Sequence, residues 1–556
     1  MKRHLAVLAM AGVFGSFALA QQPSVLAGGI VNNASYTPSA LPGSAIAQGS
    51  IFVVFGNNMG PATLQTAGGS YPLPTTLGGT TVKITSGSTT ANAVLFYSSA
   101  GQLGALLPST IAAGPASLTV TYNGQTSAPA NFQVATSSFG AFTSNNGGSG
   151  PGAVTDAGNN LNTLTNAATA GETVVLYGTG LGPVSGNEAA GPLPGDLTNV
   201  PVEVYVGTTK AVVSYRGRSG CCAALDQINF IVPAGLTGCR VPVAVKIGNN
   251  VSNFSTVSLA AAGSRICSDA GGPSTSDLQK FSQQGFTAGG VVLSRIAASI
   301  TVPGFGSVDA SNDVGSAGFY KYTPAMLNTA QNPFNTTTTG ACSVSFYKGG
   351  TAAGDPVLPK SLDAGTSINV TGPAGSKAMA RTTFGPLTSY SAVFGSNTSL
   401  PGIPPTPGFL DPGSYTVTGP GGADIGAFTS TMVLPPSLKW TNQASINTVT
   451  RSQGQLITWT GGDPAGSVQI AGTSATGTDA NAYTSTFTCT AKTSDGQFTI
   501  PALVLLSLPP SIVVSTVPTG ALLVGTVSAP KTFAATGLDT GVFVSSTQNL
   551  KTLNYQ

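Results

Sequence analysis

Short segments in which apolar and polar residues alternate recur along the chain, and they are rich in β-branched side chains. Four examples are Val82–Ile84, Leu118–Tyr122, Val202–Val206 and Val241–Ile247. Dipeptides typical of tight hairpin turns, such as Asn123-Gly124 and Gly248-Asn249, separate such segments. A chain with this pattern and almost no helical periodicity is predicted to be all-β, with antiparallel sheets packed as sandwiches.

The first half of the chain contains two copies of one pattern. The apolar segment Ala47–Gly56 returns as Ala170–Gly178, about 120 residues later. Each copy continues with a Gly-Pro turn, a Pro-Leu-Pro step and a later strand that begins with a glutamine, Gln102 or Gln227. Landmarks that keep their order and spacing indicate one domain fold used twice.

The second half, residues 263–556, repeats less clearly but is equally rich in strand patterns. Cys342–Tyr347, Ser414–Thr418 and Leu456–Trp459 are examples, and Pro- and Gly-rich turns interrupt them. The single helix candidate, Ser276–Phe281, is expected to be a short linker turn. Pro435-Pro436 follows the end of a strand, so a domain boundary is predicted at residue 434.

The predicted layout is a tandem of four immunoglobulin-like β-sandwich domains after a signal peptide. The segments are 1–20 for the signal peptide, 21–140, 141–265 (cysteine-rich), 266–434 and 435–556. A length of 556 residues is compatible with several domains of this size.

The N-terminus has the three features of an export signal. Lys2 and Arg3 precede the apolar run Leu5–Phe17, and the small-x-small sequence Ala18–Ala20 follows it. The chain is therefore expected to be secreted or held at the cell surface. No later segment of the mature chain is long and apolar enough to predict a membrane span.

The residues of the two copies carry a family resemblance. Gly49–Gly60, Pro72–Pro74 and Gln102–Pro108 resemble the IPT/TIG-like (immunoglobulin-like) domains of uncharacterised secreted acidobacterial repeat proteins. The resemblance covers residues 29–262. In the second copy, Gly217–Cys222 is nearest to the usual family form, whereas Ser98–Gly101 replaces it in the first. The resemblance implies a fold and a secreted setting, and it implies no catalytic residues.

The side chains available for chemistry are few. The single histidine is His4, inside the predicted signal peptide, so the mature chain has no imidazole for a Ser-His-Asp or Cys-His mechanism. Most aspartates stand in turn contexts, where short polar side chains bond their own backbone. We therefore predict no catalytic residue, no cofactor and no metal site. A hydrolase that uses paired carboxylates alone remains the enzymatic alternative.

Six cysteines, an even number, fit a disulfide-bonded exported protein. They are Cys221, Cys222, Cys239, Cys267, Cys342 and Cys489. The adjacent Cys221 and Cys222 are not expected to bridge each other, so each is expected to reach Cys239 or Cys267. Cys342 and Cys489 are left for a third bridge. A four-thiolate zinc site is the alternative, although the chain has no Cys-x-x-Cys pair.

Three aromatic residues, Trp440, Trp459 and Tyr415, are candidates for stacking on a sugar ring. The alternative is that Trp459, in the middle of a strand, anchors a sandwich core. Arg216 and Arg218 are expected to lie in a solvated loop.

These observations predict a non-enzymatic protein in adhesion, extracellular matrix or carbohydrate-surface binding. Its partner would be an extracellular polysaccharide or a surface protein. Formal net charge is only +3, which does not indicate nucleic acid. The alternatives left open are the carboxylate hydrolase and a purely structural spacer.

Overall fold

The structure is a computed structural model. It describes residues 21–302, 306–328, 334, 337–348, 351–352, 358–385, 387–398, 407–479, 482–514 and 517–556. The predicted signal peptide, 1–20, lies outside the described residues.

The first sandwich is built from twelve described strands. They are β1 Ser24–Asn32, β2 Ile46–Ala47, β3 Ile51–Asn57, β4 Gln65–Thr66, β5 Thr76–Leu77, β6 Thr80–Ser86, β7 Thr89–Asn92, β8 Val94–Ser98, β9 Gln102–Leu106, β10 Gly114–Tyr122, β11 Gln125–Thr126 and β12 Ala130–Ala135. Its two sheets have the strand orders β1-β3-β9-β8-β4 and β2-β12-β10-β6-β5. Alternation places Val82 and Ile84 inside and Lys83 outside, because successive side chains of a strand point to opposite faces. Asn123 and Gly124 both adopt positive φ between β10 and β11, which confirms the predicted turn.

The second sandwich encloses its own core, and one long strand joins its two layers. Its strands are β13 Gly140–Ala141, β14 Gly150–Pro151, β15 Val154–Thr155, β16 Thr173–Thr179, β17 Gly195–Asp196, β18 Val202–Val206, β19 Thr209–Arg218, β20 Asp226–Ile231, β21 Gly238–Ile247, β22 Asn250–Val251 and β23 Ser255–Leu259. The start of β19 pairs with β18 and the rest pairs with β20. The buried side chains of β16, β18, β20 and β21 meet between the layers.

A ten-residue helix, α1 Thr275–Gln284, follows the second sandwich and is longer than the predicted Ser276–Phe281. Ser274 caps it by accepting a hydrogen bond from the Asp277 backbone N–H, and Gly285 ends it with φ of 73°. Leu278 and Phe281 form its buried face. The helix therefore packs into a core instead of acting as a linker turn.

The rest of the chain forms one very large sheet and several short strands. The strands are β24 Phe286–Val302, β25 Gly306–Tyr322, β26 Ala341–Lys348, β27 Thr351–Ala352, β28 Lys360–Ser361, β29 Ser367–Gly372, β30 Gly375–Phe384, β31 Leu387–Thr398, β32 Gly413–Gly419, β33 Phe428–Leu434, β34 Lys439–Trp440, β35 Thr448–Val449, β36 Gln455–Thr460, β37 Ser467–Ala475, β38 Tyr483–Lys492, β39 Gln497–Ile500, β40 Val513–Val514, β41 Val517–Pro518, β42 Gly520–Val527, β43 Lys531–Phe533 and β44 Thr540–Tyr555. The helix α2 Ala502–Leu506 and three 3-10 turns, Pro324–Asn328, Gln443–Ser445 and Thr493–Asp495, complete the described elements.

Strand pairing in the large sheet crosses residue 434. Its main path is β27-β26-β38-β37-β42-β44-β24-β25-β31-β30-β29-β32-β33. The strand β26 pairs with β38, and β24 pairs in parallel with β44. The sheet carries two separate buried clusters, one around Tyr390 and Tyr415 and the other around Trp459 and Tyr555. The predicted domain limits stay a prediction, but strands from both sides of residue 434 pair within one sheet.

These sheets confirm the predicted all-β fold class of tandem sandwich domains. Within the described part of the chain, no helix has the length and apolar character needed to cross a membrane.

Candidate functional site

A cleft of about 370 Å³ opens where the first sandwich, the second sandwich and the large sheet meet. We call it the junction cleft. Most of its polar lining consists of hydroxyl and amide side chains, among them Ser149, Ser252, Asn253, Ser343, Ser345 and Ser485. Phe254, Phe346 and Tyr347 supply aromatic surface. Ligand sites commonly lie between domains and have volumes of this order.

One wall of the junction cleft is a glycine-rich loop held by Asn253. The Asn253 side-chain amide donates to the carbonyl oxygens of Ala141 at 2.9 Å and Gly148 at 2.8 Å. Its oxygen accepts from the Ala141 backbone N–H at 2.8 Å. The Thr143 hydroxyl accepts from the N–H groups of Gly147 and Gly148, so the loop 143–151 is ordered by side chains on both sides.

The opposite wall is strand β26. A disulfide joins Cys342 in this strand to Cys489, its directly opposed residue in β38. Ser343 shares a hydrogen bond of 3.0 Å with Thr337, and the Ser345 hydroxyl donates to the Tyr347 hydroxyl at 3.1 Å. The wall therefore presents hydroxyl groups on a strand that is covalently fixed near its start.

Arg240 is the one charged residue among the described residues that line the junction cleft. Its side chain is only 3% exposed. One terminal nitrogen, Nη2, donates to the Leu327 carbonyl, while Nη1 has no hydrogen-bond partner. Burial lowers the pKa of Arg240 to about 10, so the guanidinium stays protonated at neutral pH. The hydroxyl of Ser255 is also buried without a partner, but Ser255 lies directly opposite Val243 and therefore points into the core of the second sandwich.

The chemistry that this lining offers is recognition. Hydroxyls, an amide and a guanidinium can bond a polar ligand, and aromatic rings can cover its apolar faces. The described lining contains no carboxylate that could act as acid or base. Among the described residues, no group of three or more His, Cys, Asp and Glu side chains is placed to hold a metal.

A second polar cluster joins the first two sandwiches. Arg218, 2% exposed, forms an ion pair with the fully buried Asp226. Its Nη2 donates to the Gly49 carbonyl of the first sandwich at 2.7 Å and to the Gly182 carbonyl of the second at 2.8 Å. We call this cluster the Arg218 joint. The expectation that Arg218 lies in a solvated loop is wrong, because its donors satisfy backbone carbonyls that the packed sandwiches would otherwise bury unpaired.

Asp226 is bonded at both carboxylate oxygens. Oδ1 faces Arg218, and Oδ2 accepts from the backbone N–H groups of Gly180 at 2.6 Å and Leu181 at 2.7 Å. Complete burial raises the pKa of Asp226, and the Arg218 charge and these N–H donors oppose that rise. Every partner of the side chain is a donor, so the geometry suits an ionised carboxylate.

Further bonds cross between the same two sandwiches. Glu188 accepts from the Ser109 backbone N–H and from its hydroxyl, both at 2.8 Å. The Tyr71 hydroxyl accepts from the Ala223 backbone N–H at 3.1 Å, next to the exposed Cys221 and Cys222. The loop between β19 and β20 is therefore docked against the first sandwich.

All six cysteines are in disulfides, but the expected pairing was partly wrong. Cys221 bridges Cys222, Cys239 bridges Cys267, and Cys342 bridges Cys489. The third bridge is as predicted. Cys239 lies at the start of β21, beside the segment after β23 that carries Cys267, so these two meet and leave the exposed adjacent pair to each other. The zinc alternative is excluded because no thiol is free.

The three aromatic candidates for sugar stacking are all buried, so the prediction of a stacking face made from them is wrong. The Tyr415 hydroxyl donates to the carbonyls of Phe409 and Asp411. Trp459 donates to the Thr493 carbonyl at 2.9 Å, and Trp440 to the Asn442 side chain at 2.8 Å. Each ring buries its apolar face and satisfies its polar atom, which is the core role considered as the alternative.

Sequence reasoning missed the junction cleft. Its residues come from segments hundreds of positions apart, and no local pattern brings them together. One signal was present: Arg240 interrupts the otherwise apolar run Cys239–Val245. An arginine inside a buried strand needs partners, so its position could have marked this place.

No family model and no curated protein matches the chain, so the IPT/TIG resemblance stays a prediction. Solved structures to which it is similar include the titin I9–I11 tandem, at 10% identity over 70% of this chain and 94% of that one, with a TM-score of 0.13. SGBP-B from a complex xyloglucan utilization locus in Bacteroides uniformis matches at 12% identity over 67% and 86%, with a TM-score of 0.15. Domains 5–6 of the S-layer protein SbsC match at 13% over 43% and 100%, with a TM-score of 0.17.

Proposed function

We propose that this chain is an exported, non-enzymatic protein of the cell surface or extracellular matrix that binds polysaccharide in the junction cleft. The observation that carries the proposal is the lining of that cleft, in which hydroxyl and amide groups stand beside Phe346 and Tyr347. A polysaccharide has the complementary surface, since its rings offer hydroxyls at the edge and C–H groups on the face. Three disulfides support an oxidising compartment.

Binding is tested with the whole chain, produced in an oxidising compartment so that the three bridges form. Retardation in gels that contain neutral or acidic polysaccharides, followed by titration calorimetry on each positive, measures affinity. We expect at least one polysaccharide to bind. Tyr347→Ala should weaken that binding by roughly ten-fold, in the range of one aromatic contact.

Tyr122→Ala is the matched control, because Tyr122 is a partly exposed tyrosine at the far end of the first sandwich, outside the cleft. It should leave affinity unchanged. Failure of every polysaccharide to bind, or equal effects of the two variants, would contradict the proposal.

The structural-spacer alternative is supported by one observation, the Arg218 joint, which bonds two sandwiches to each other through buried groups. A folded chain with all three bridges that retards in none of the gels would favour this alternative over binding.

A further inference from the structure

We propose that the junction cleft selects an acidic polysaccharide, one built with uronic acid residues, whose carboxylate binds the guanidinium of Arg240. This inference rests on the proposed function and narrows its ligand class. Three observations lead to it: the lack of a salt-bridge partner for Arg240 among the described residues, its unpartnered donor, and the absence of any other charged residue in the described lining.

Arg240 is buried but, unlike two other arginines of this chain, forms no salt bridge with any described residue. Arg218 and Arg295 each hold an aspartate within 3 Å. In the part of the chain that the structure describes, Arg240 has no carboxylate within the 4.0 Å of a salt bridge. Asp269 acts on it only from farther away and accepts instead from the Cys239 backbone N–H at 3.0 Å. Asp269 offsets part of the cost of this buried charge, and an anion that bonds the guanidinium directly would offset more.

The donors of Arg240 are only partly used. A guanidinium offers five N–H groups in a planar fork, a shape that matches the two oxygens of a carboxylate. Nη2 is bonded to the Leu327 carbonyl, and Nη1 bonds nothing. Because the Nη1 atom is covered in the unliganded chain, binding includes a rotamer change of Arg240, a kind of adjustment that is common at interfaces.

The residues that line the junction cleft around Arg240 favour a ligand that is both anionic and a saccharide. The other described lining residues are uncharged, so no carboxylate in the lining repels an acidic ligand. The hydroxyl groups of the lining are neutral, so they can bond sugar hydroxyls without repelling a carboxylate. The aromatic side chains of the lining cover the face of the sugar ring.

The decisive comparison uses two forms of one polymer on the unaltered protein. Polygalacturonate carries a carboxylate on each residue, and its fully methyl-esterified form has the same backbone without the charge. We expect the acid form to bind at least ten-fold more tightly at low salt, and this difference to shrink as salt is added. Equal affinity for the two forms would overturn the inference and leave the proposed function intact.

Two variants place the selectivity on Arg240. Arg240→Gln should remove the preference for the acid form, and Arg240→Lys should restore part of it, because lysine keeps the charge but loses the fork. Lys246→Gln, on the same strand outside the cleft, is the charge control and should keep the preference. Melting curves check that each variant folds, and the ester comparison needs no variant.

The remaining outcomes separate the two proposals. Binding of neutral polysaccharides only would overturn the choice of an acidic ligand and support the proposed function. Tighter binding of dextran sulfate than of polygalacturonate, with the same dependence on Arg240, would overturn the assignment to a carboxylate. Absence of binding to every polysaccharide would contradict both proposals.

Discussion

Two arginine–aspartate pairs in this molecule are built in the same way. Arg218 lies directly opposite Asp226 on β19 and β20, and Arg295 lies directly opposite Asp313 on β24 and β25. Each aspartate also accepts from two consecutive backbone N–H groups of a distant loop, Gly180–Leu181 in one case and Phe409–Leu410 in the other. In both pairs, the aspartate therefore joins a distant loop to the hairpin through hydrogen bonds.

The pairs differ in where the arginine's remaining donors go. Arg218 reaches the Gly49 carbonyl in another sandwich, 169 positions away. Arg295 is 22% exposed and turns its Nη1 to Asp411, which is 68% exposed. One cross-strand pair thus links two domains, and the other closes a single hairpin and its neighbouring loop. Whether such a pair links two domains or stays local therefore depends on which further group the arginine bonds besides its aspartate.

Asp226→Asn should produce the largest effect, because it removes the carboxylate bonded directly to the buried Arg218 and leaves only Glu188, at 4.0 Å. We expect a loss of about 3–5 kcal/mol in the free energy of unfolding of the second sandwich. Urea unfolding followed by hydrogen exchange measures both the size and the place of the change. Exchange should rise at Gly180 and Leu181 and also across the joint near Gly49.

Asp196→Asn is the control, since Asp196 faces Arg216 at 3.7 Å on the surface. It should cost under about 1 kcal/mol. A rise in exchange confined to the second sandwich in Asp226→Asn would contradict the assignment of Arg218 as a link between domains.

Asp313→Asn should have a smaller and strictly local effect. It removes charge-assisted bonds with Arg295 at 2.7 and 2.8 Å, and a charged partner of this kind is worth about 1.5–3 kcal/mol. Faster exchange should appear at Phe409 and Leu410 and should not reach the other hairpins. Faster exchange in the first two sandwiches as well would contradict the conclusion that the Arg295–Asp313 pair acts only locally.

The same pair makes a prediction about pH. Burial raises the pKa of Asp313, but the Arg295 side chain and the N–H groups of Leu410 and Phe409 lower it by more, so the net pKa lies below its ordinary value. A carboxyl with a lowered folded-state pKa stabilises fully above its unfolded pKa of about 4, and the stabilisation is lost as pH falls through the folded value. The stability difference between the unaltered chain and Asp313→Asn should therefore shrink steadily as the pH falls below about 4. A difference that stays constant between about pH 5 and pH 2 would count against an ionised Asp313.

Asp411→Asn should have the smallest effect, below about 0.5 kcal/mol, because Asp411 is mostly exposed and its bond to Arg295 is screened by water and salt. Thermal unfolding at low and high salt checks this expectation. A loss as large as that of Asp313→Asn would mean that the exposed contact, and not the buried one, holds the hairpin.

Much of the fold could be predicted because strands and turns are determined by residues that are close together in the sequence. Alternation around Val82 and Ile84 gives the strands, and Asn123-Gly124 gives a turn. The bridge between Cys342 and Cys489 followed once the other four cysteines were grouped by proximity.

The parts that could not be predicted depend on long-range pairing. Nothing near Arg218 indicates that its partner is the Gly49 carbonyl, and nothing near Arg240 indicates a cleft formed with β26. The five-residue helix α2 is too short to show helical periodicity, and its apolar sequence reads equally well as a strand. The rings of Trp440 and Tyr415 show why composition misleads, because an aromatic suited to a ligand is equally suited to a core.

The parallel contact between β24 and β44 has a consequence for the order in which the molecule can be assembled. Ser294 bonds Ser546, a residue that follows it by 252 positions. The ribosome synthesises β24 before β44. One edge of β24 therefore stays unpaired until the residues between the two strands and β44 itself have been made. Such an unpaired edge is where another chain can attach, so slow completion of the large sheet would expose β24 to pairing with other chains.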